Sequence, residues 1–75
     1  MSTTIPQLTT IAIELDAGLA ELRLNRPERS NAINEAMWQE LRIACNWADA
    51  TPAVRVVVLA GAGRHFCAGI DLAML

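Results

Sequence analysis

The stretch HFCAGIDL, residues 65–72, is the part of the sequence best suited to holding a ligand against the backbone. Ala68 and Gly69 are small, so the backbone there can approach a ligand closely. A helix beginning after this turn would direct the positive end of its dipole towards an anion. The simpler alternative is that Gly69 only caps a strand–helix turn, and the residues alone favour it.

A Gly-Ala-Gly loop after an apolar run also raises the question of nucleotide binding. The dinucleotide fingerprint needs a glycine three positions beyond Gly63, where this sequence has Phe66. The phosphate-binding loop ends in Gly-Lys-Ser/Thr, whereas Gly69 is followed by Ile70. Because both patterns fail on residue identity, the sequence excludes nucleotide binding through either motif.

Composition narrows the remaining classes of function. The 75 residues carry a net charge of −2, so there is no basic field for nucleic acid or an anionic membrane. Cys45, Cys67 and His65 are too few and too scattered for a zinc site, and we expect two reduced thiols. The sequence has no signal-peptide pattern and no apolar run as long as a membrane helix. We therefore expect a cytoplasmic protein without a metal, and with no nucleic-acid or membrane partner.

Two alternating segments separated by a glycine turn predict a β-hairpin. Apolar and polar side chains alternate in residues 10–16 and again in residues 19–25, the period of a half-buried strand. Residues 16–18 form the turn, in which Gly18 is free to take positive φ. The side chains predicted to face the core are Ile11, Ile13, Leu15, Ala20, Leu22 and Leu24.

A helix is predicted from Asn34, its N-cap, to about residues 49–51, just before Pro52. Its apolar side chains recur three or four positions apart, which is helical spacing. The predicted stripe consists of Ile33, Met37, Leu41, Ala44 and Ala48, widened by Trp38 and Cys45.

The run of β-branched residues at 54–59 hardly alternates, which is typical of a parallel strand covered on both faces. Such a strand needs neighbours on both sides, and the chain supplies too few. Residues 68–75 then predict a turn into a helix. The fold class is therefore α/β, with a flexible N-terminus at residues 1–8 and one incomplete α/β unit at residues 9–75.

Two blocks of this sequence resemble the crotonase family, also called the enoyl-CoA hydratase/isomerase superfamily. They are LNRPERSNAINEAMWQEL, residues 24–41, and VRVVVLAGAGRHFCAGIDL, residues 54–72. The resemblance covers roughly residues 10–75. It implies the start of a ββα spiral: β-hairpin, helix, buried strand and oxyanion turn. Family domains are several times longer, so the resemblance also implies an N-terminal fragment of such a domain.

The resemblance implies that the backbone N–H of Ile70 donates to the thioester oxygen of an acyl-CoA. Proton removal beside a thioester, or addition to an enoyl thioester, puts negative charge on that oxygen, and losing one such donor typically costs about 10²–10³ in rate. In the family, the second donor and the acid–base carboxylates come from later segments. No residue of this sequence matches them. Asp71 is better explained as a helix-start residue than as an acid.

The loop RPERSNA, residues 26–32, corresponds to the family's groove for coenzyme A (CoA). Arg29 matches an often basic position, and a guanidinium suits a phosphate, although a solvated loop charge is the alternative. Asn31 and Asn34 suit turn and capping roles, and we predict that His65 is exposed and Phe66 anchors its loop. The residues that the resemblance assigns to the acyl-CoA are Arg29, Ser30, Ala32, Ala68, Gly69, Ile70, Asp71 and Leu72.

Two classes of function follow. The first is an enzyme that hydrates or isomerises enoyl-CoA thioesters, and AGIDL is somewhat more similar to dienoyl-CoA isomerases than to typical hydratases. It would need no separate cofactor, because CoA arrives with the substrate, and the resemblance implies a homotrimer or hexamer. The second class is a non-catalytic truncated product that only associates with other chains.

Overall fold

The fold is a three-stranded sheet with one helix packed on it. The computed structural model describes residues 4–72. The order of strands is β1-β2-β3, with β1 and β2 antiparallel and β2 and β3 parallel. The elements in chain order are β1 (Ile11–Asp16), β2 (Leu19–Leu24), a short 3-10 helix (Pro27–Arg29), α1 (Glu35–Ala50) and β3 (Val56–Gly61).

The predicted hairpin is confirmed. Asp16 pairs with Leu19, so the turn contains two residues and not the three predicted. Ala17 and Gly18 both have positive φ, at 49° and 86°. Two such residues make the tight turn whose twist matches the right-handed twist of its strands.

The core lies between the hairpin and one face of α1. Alternation along β1 and β2 turns one set of side chains towards the helix, and positions in α1 at helical spacing meet them. The buried hydrophobic side chains are Ile11, Ala20, Leu22, Leu24, Met37 and Ala44. Ile33, Leu41 and Trp47 are partly buried against them.

Helix α1 begins as predicted. The side-chain oxygen of Asn34 accepts a hydrogen bond from the Met37 N–H at 2.9 Å, which satisfies a free N–H of the first turn. Two positions predicted to widen the apolar stripe do not join the core: Trp38 is 57% exposed and Cys45 is exposed. Each directly follows a buried stripe residue, and a step of one position rotates a side chain about 100° away from the core.

Strand β3 is parallel to β2, as predicted, with pairing from Leu19–Val56 to Leu24–Gly61. A strand of this kind was expected to lack neighbours within this chain, and the residues that the structure describes agree with that expectation. The side chains of residues 56–59 are 38–55% exposed. Within residues 4–72, α1 packs mainly on β1 and β2, and β3 has a strand neighbour on one side only.

The segment before β1 is attached to α1 through one carboxylate. Glu40 accepts hydrogen bonds of 2.7–2.9 Å from the backbone N–H and the hydroxyl of both Thr9 and Thr10. Burial by itself raises the pKa of Glu40, but the hydrogen bonds from Thr10 and Thr9 outweigh this effect and hold the pKa below its ordinary value. The indole N–H of Trp47 also donates to the Thr4 carbonyl at 2.8 Å. The predicted helix after the glycine turn falls mostly on residues outside those described.

Candidate functional site

The turn at residues 68–71 depends on the backbone freedom of Gly69. Its φ is +104°, a backbone conformation that residues other than glycine rarely adopt. A Cβ built at this position meets no atom within 4 Å, so the space beside the turn is open. Glycine is therefore required here by conformation, and the surrounding space leaves room for a ligand to reach the backbone.

A parallel bridge between Ile33 and Ile70 fixes the orientation of this turn. The Ile33 N–H donates to the Gly69 carbonyl at 2.7 Å, and the Asp71 N–H donates to the Ile33 carbonyl at 2.8 Å. In such a bridge the groups on either side of Ile70 face Ile33. The N–H of Ile70 itself therefore points to the opposite side, away from Ile33.

The Ile70 N–H differs from its neighbours. Within residues 4–72 it has no hydrogen-bond partner, and the residue is 49% exposed. The other three N–H groups of the turn are engaged: Ala68 with the Ser30 carbonyl at 3.0 Å, Gly69 with the Cys67 sulfur at 3.3 Å, and Asp71 with the Ile33 carbonyl. The turn thus offers one free donor, at the position that the resemblance indicated.

Arg26 is a site residue that the sequence did not reveal. Its guanidinium donates to the Ala32 carbonyl and lies 3.3 Å from the Asp71 carboxylate. The side chain of Asp71, predicted to start a helix and to contact substrate, is thus paired beside the donor. A partly buried guanidinium pairs with a carboxylate more strongly than a solvated one does. The one signal in the sequence was an arginine directly before Pro27, in the block that resembles the family.

Asn31 joins the two loops that form the site. It is fully buried, and its side chain makes three hydrogen bonds to backbone groups. Its oxygen accepts from the Arg26 N–H at 2.8 Å, and its amide donates to the carbonyls of Ala62 and His65 at 2.8 and 2.7 Å. Its φ of 58° agrees with the predicted turn role, but its contacts with a loop 31 to 34 positions away were not predicted.

The predicted CoA-binding residues divide into two groups. The Ser30 carbonyl accepts from the Ala68 N–H of the turn, and the Ala32 carbonyl accepts from the guanidinium of Arg26. Arg29 is exposed on the 3-10 helix, and its side chain makes no hydrogen bond or ion pair within residues 4–72. Leu72 is also exposed.

The loop between β3 and the turn folds back over Gly61. A Cβ there would lie 2.5 Å from the Phe66 carbonyl oxygen, so glycine permits this close approach. His65 is exposed, as predicted. The prediction that Phe66 anchors the loop is wrong, because its side chain is 53% exposed and the backbone of the loop makes the close contact.

Neither cysteine forms a disulfide bond: Cys45 and Cys67 are both free thiols. Across residues 4–72 there is no group of three or more histidine, cysteine, aspartate or glutamate side chains arranged to hold a metal ion. In the same part of the chain, no helix combines the length and the apolar character needed to cross a membrane.

The sequence model of the enoyl-CoA hydratase/isomerase family matches residues 14–75. The chain belongs to this family. The match spans the second half of β1, β2, α1, β3 and the turn around Gly69, so the predicted family membership and the predicted start of the crotonase fold are both confirmed.

Enoyl-CoA hydratase/isomerase relatives match nearly the whole chain. A Mycobacterium tuberculosis protein named "Probable enoyl-CoA hydratase" is 39% identical over 69 residues, which are 92% of this chain and 27% of that protein. The peroxisomal Delta(3,5)-Delta(2,4)-dienoyl-CoA isomerase of Arabidopsis thaliana is 40% identical over 65 residues, 87% of this chain and 23% of that protein. The crystal structure of an enoyl-CoA hydratase/isomerase from Mycobacterium paratuberculosis superposes with a TM-score of 0.85 at 39% identity, covering 88% of this chain and 26% of that one. The chain spans about a quarter of the length of these relatives.

Proposed function

We propose that this chain contributes an oxyanion-hole donor and part of the CoA groove to an enzyme that processes enoyl-CoA thioesters by hydration or double-bond isomerisation. One observation carries the proposal: the N–H of Ile70 is free within residues 4–72, while the N–H groups around it are engaged. The names of relatives support the class of substrate, since both hydratases and a dienoyl-CoA isomerase are among them.

The geometry suits the charge that these reactions create. A thioester oxygen gains negative charge when a nucleophile adds to the enoyl group or a proton leaves the adjacent carbon. A donor that is held in place before the reaction stabilises this charge without having to reorganise. The open space beside Gly69 lets the thioester approach the Ile70 N–H. No separate cofactor is needed, because CoA is part of the substrate.

The remaining roles are assigned from the position of each residue relative to the donor turn. Ser30 and Ala32 would line the groove beside the donor turn, and the exposed guanidinium of Arg29 would meet a CoA phosphate. We assign no general acid or base within residues 4–72. Asp71 is the carboxylate adjacent to the donor, and it forms an ion pair with Arg26.

The test uses a chimera in which the full chain replaces the matched segment of the Mycobacterium tuberculosis relative. Ile70→Pro removes the N–H and should lower kcat for an enoyl-CoA by about 10²–10³, the usual effect of losing one oxyanion donor. Ile70→Ala keeps the N–H and should retain most activity. Replacing a fully buried isoleucine by alanine lowers the free energy of unfolding by roughly 2 kcal/mol or more. Because Ile70 is about half exposed, its replacement should cost less.

Folding is the control, because proline can also distort the turn. The melting temperature of Ile70→Pro must stay within a few degrees of that of the unmodified chimera. A folded Ile70→Pro chimera that turns over enoyl-CoA at the unmodified rate contradicts the assignment.

The exposed strand β3 favours a second candidate function, association with another chain without catalysis. Among the described residues, no strand pairs with its outer edge, which presents backbone groups together with exposed apolar side chains from Val56 to Leu59. In that case the chimera would assemble normally, but Ile70→Pro would leave its kinetics unchanged. The same measurement therefore separates the two candidates.

A further inference from the structure

Asn31 is the one fully buried polar residue in the part of the chain that the structure describes. Both hydrogens of its amide are used, on the carbonyls of Ala62 and His65. These two carbonyls belong to the loop that leaves β3 and leads to the donor turn, and this loop has no regular secondary structure of its own. The conformation of the loop therefore depends strongly on one side chain.

The same short segment also contacts the donor turn directly. On one side of Asn31 the Ser30 carbonyl accepts from Ala68, and on the other side Ile33 bonds to the groups flanking Ile70. Asn31 thus fixes the start of the connecting loop, while its neighbours along the chain fix the end. The backbone of Asn31 is itself held, because Arg26 and Asn31 exchange hydrogen bonds of 2.8 Å in both directions.

We propose that Asn31 is a positioning residue for the Ile70 N–H, acting through the loop at residues 62–69. The inference rests on the proposed function, because it concerns the same donor. Asn31 touches neither the substrate nor the reacting atoms. Its contribution is to hold the loop so that the donor is already aimed at the thioester oxygen when the substrate arrives, and misplacing a catalytic group by about 1 Å can cost roughly 10²-fold in rate.

The experiment compares two asparagines in the chimera described above. Asn31→Gly removes the amide and tolerates the positive φ at this position. Asn34→Ala is the matched control, because it also removes an amide bonded to the backbone, but at the start of α1 and without contact to the loop. Three quantities are measured: kcat for an enoyl-CoA, the dissociation constant of free CoA, and the stretching frequency of the isotope-labelled thioester carbonyl in the bound substrate.

If Asn31 positions the donor, Asn31→Gly should lower kcat by about 10- to 100-fold. The carbonyl frequency should move back towards its value in water, because the hydrogen bond from Ile70 is weakened. Free CoA has no thioester carbonyl and cannot bond to the Ile70 N–H. The dissociation constant of free CoA in Asn31→Gly should therefore stay within about twofold of that in the unmodified chimera, because the donor acts on the reacting group and not on CoA itself. Asn34→Ala should lower the melting temperature and leave kcat and the carbonyl frequency unchanged.

Asn31→Asp supplies a second readout that does not require removal of the side chain. It keeps the oxygen that accepts from Arg26 but places a carboxylate oxygen against the Ala62 and His65 carbonyls. Its kcat relative to the unmodified chimera should rise as pH falls, because a protonated carboxyl regains one donor for these carbonyls.

The outcomes separate the two proposals. A bound substrate whose carbonyl frequency is unshifted in the unmodified chimera overturns the proposed function. If the carbonyl frequency is shifted in the unmodified chimera, and Asn31→Gly keeps both this shift and the kcat of the unmodified chimera, only the role of Asn31 is overturned. Equal losses of kcat in Asn31→Gly and Asn34→Ala also overturn it, since they would reflect stability alone.

Discussion

The guanidinium of Arg26 lies 3.3 Å from the carboxylate of Asp71, 45 positions further along the chain. Both side chains are shielded from water, at 14% and 19% exposure, so the pair is less screened than a surface ion pair. Since Asp71 directly follows Ile70, this pair connects the loop after the hairpin with the residue next to the proposed donor.

A double-mutant cycle in the chimera should show that Arg26 and Asp71 are coupled. We expect Arg26→Met and Asp71→Asn each to lower the free energy of unfolding by about 1.5–3 kcal/mol, the range for hydrogen bonds to charged groups. The double variant should lose less than the two single losses combined, because either single change already removes the ion pair and the second cannot remove it again. Denaturant unfolding measures the free energy of unfolding of the two single variants and of the double variant. Strictly additive losses would show that the two side chains act independently.

Arg29 should affect substrate binding in a way that depends on salt. If its exposed guanidinium meets a CoA phosphate, Arg29→Ala should raise KM for an enoyl-CoA more at low ionic strength than at high, because salt screens exposed charges. The change in kcat should be small, since contact with a remote phosphate contributes equally to ground state and transition state. Arg42→Ala, which removes an exposed arginine of α1, is the matched control. Equal KM values for the two variants at low salt would show that the Arg29 side chain is solvated and does not contact CoA.

Glu40 should make the stability of the chimera depend on pH. Its pKa in the folded state lies below the ordinary value of 4.5. A depressed carboxyl pKa contributes stability that is fully present above the unfolded value and is lost as pH falls through the folded one. The difference in unfolding free energy between the unmodified chimera and Glu40→Gln should therefore be constant above about pH 5 and shrink at lower pH. Glu35→Gln, at an exposed carboxylate of α1, is the control. A difference that does not change with pH would contradict the role of the Thr9 and Thr10 hydrogen bonds.

Strand β3 should make the isolated 75-residue chain self-associate. An apolar, β-branched edge strand with unpaired backbone groups is a template for pairing with another copy. Val57→Lys should reduce this association, whereas Ile43→Lys should reduce it less. Both positions are 47% exposed, but Ile43 lies on α1 and has no free strand edge. Sedimentation and thermal melts at several concentrations test this. A sharp melting transition that is independent of concentration would show that the chain folds stably alone.

The elements that the sequence predicts well are those specified by neighbouring residues. Alternation and a glycine turn define the hairpin, and the Asn34 cap and the stripe around Met37 define α1. Each of these depends on contacts within a few positions or on one repeating period. The parallel character of β3 was also predictable from its β-branched run, as was its lack of neighbours in this chain, but the faces that α1 covers were not. Burial depends on which other elements cover the strand, and α1 covers β1 and β2 instead.

The candidate site was predictable only in part, for the same reason. The turn around Gly69 stands out by its small residues, and Ile70 follows from the family resemblance. The roles of Arg26 and Asn31 depend on contacts 31 to 45 positions away, which no local pattern encodes. An arginine and an asparagine in a loop are ordinarily solvated or turn residues, so their types alone gave no reason to place them in a buried network.

The parallel pairing of β2 with β3 has a consequence for the order in which this segment is made. Leu19 cannot pair with Val56 until the chain has left β2, formed α1 and returned, and closing that long loop carries an entropic cost before any contact repays it. The hairpin and α1 each form through contacts between residues that are close in sequence, which takes roughly 0.1–10 microseconds. During synthesis, the hairpin and α1 therefore emerge before the turn that contains Ile70. The bridge between Ile33 and Ile70 closes only after residue 71 has left the ribosome, so the proposed donor reaches its position after the hairpin and α1 have been made.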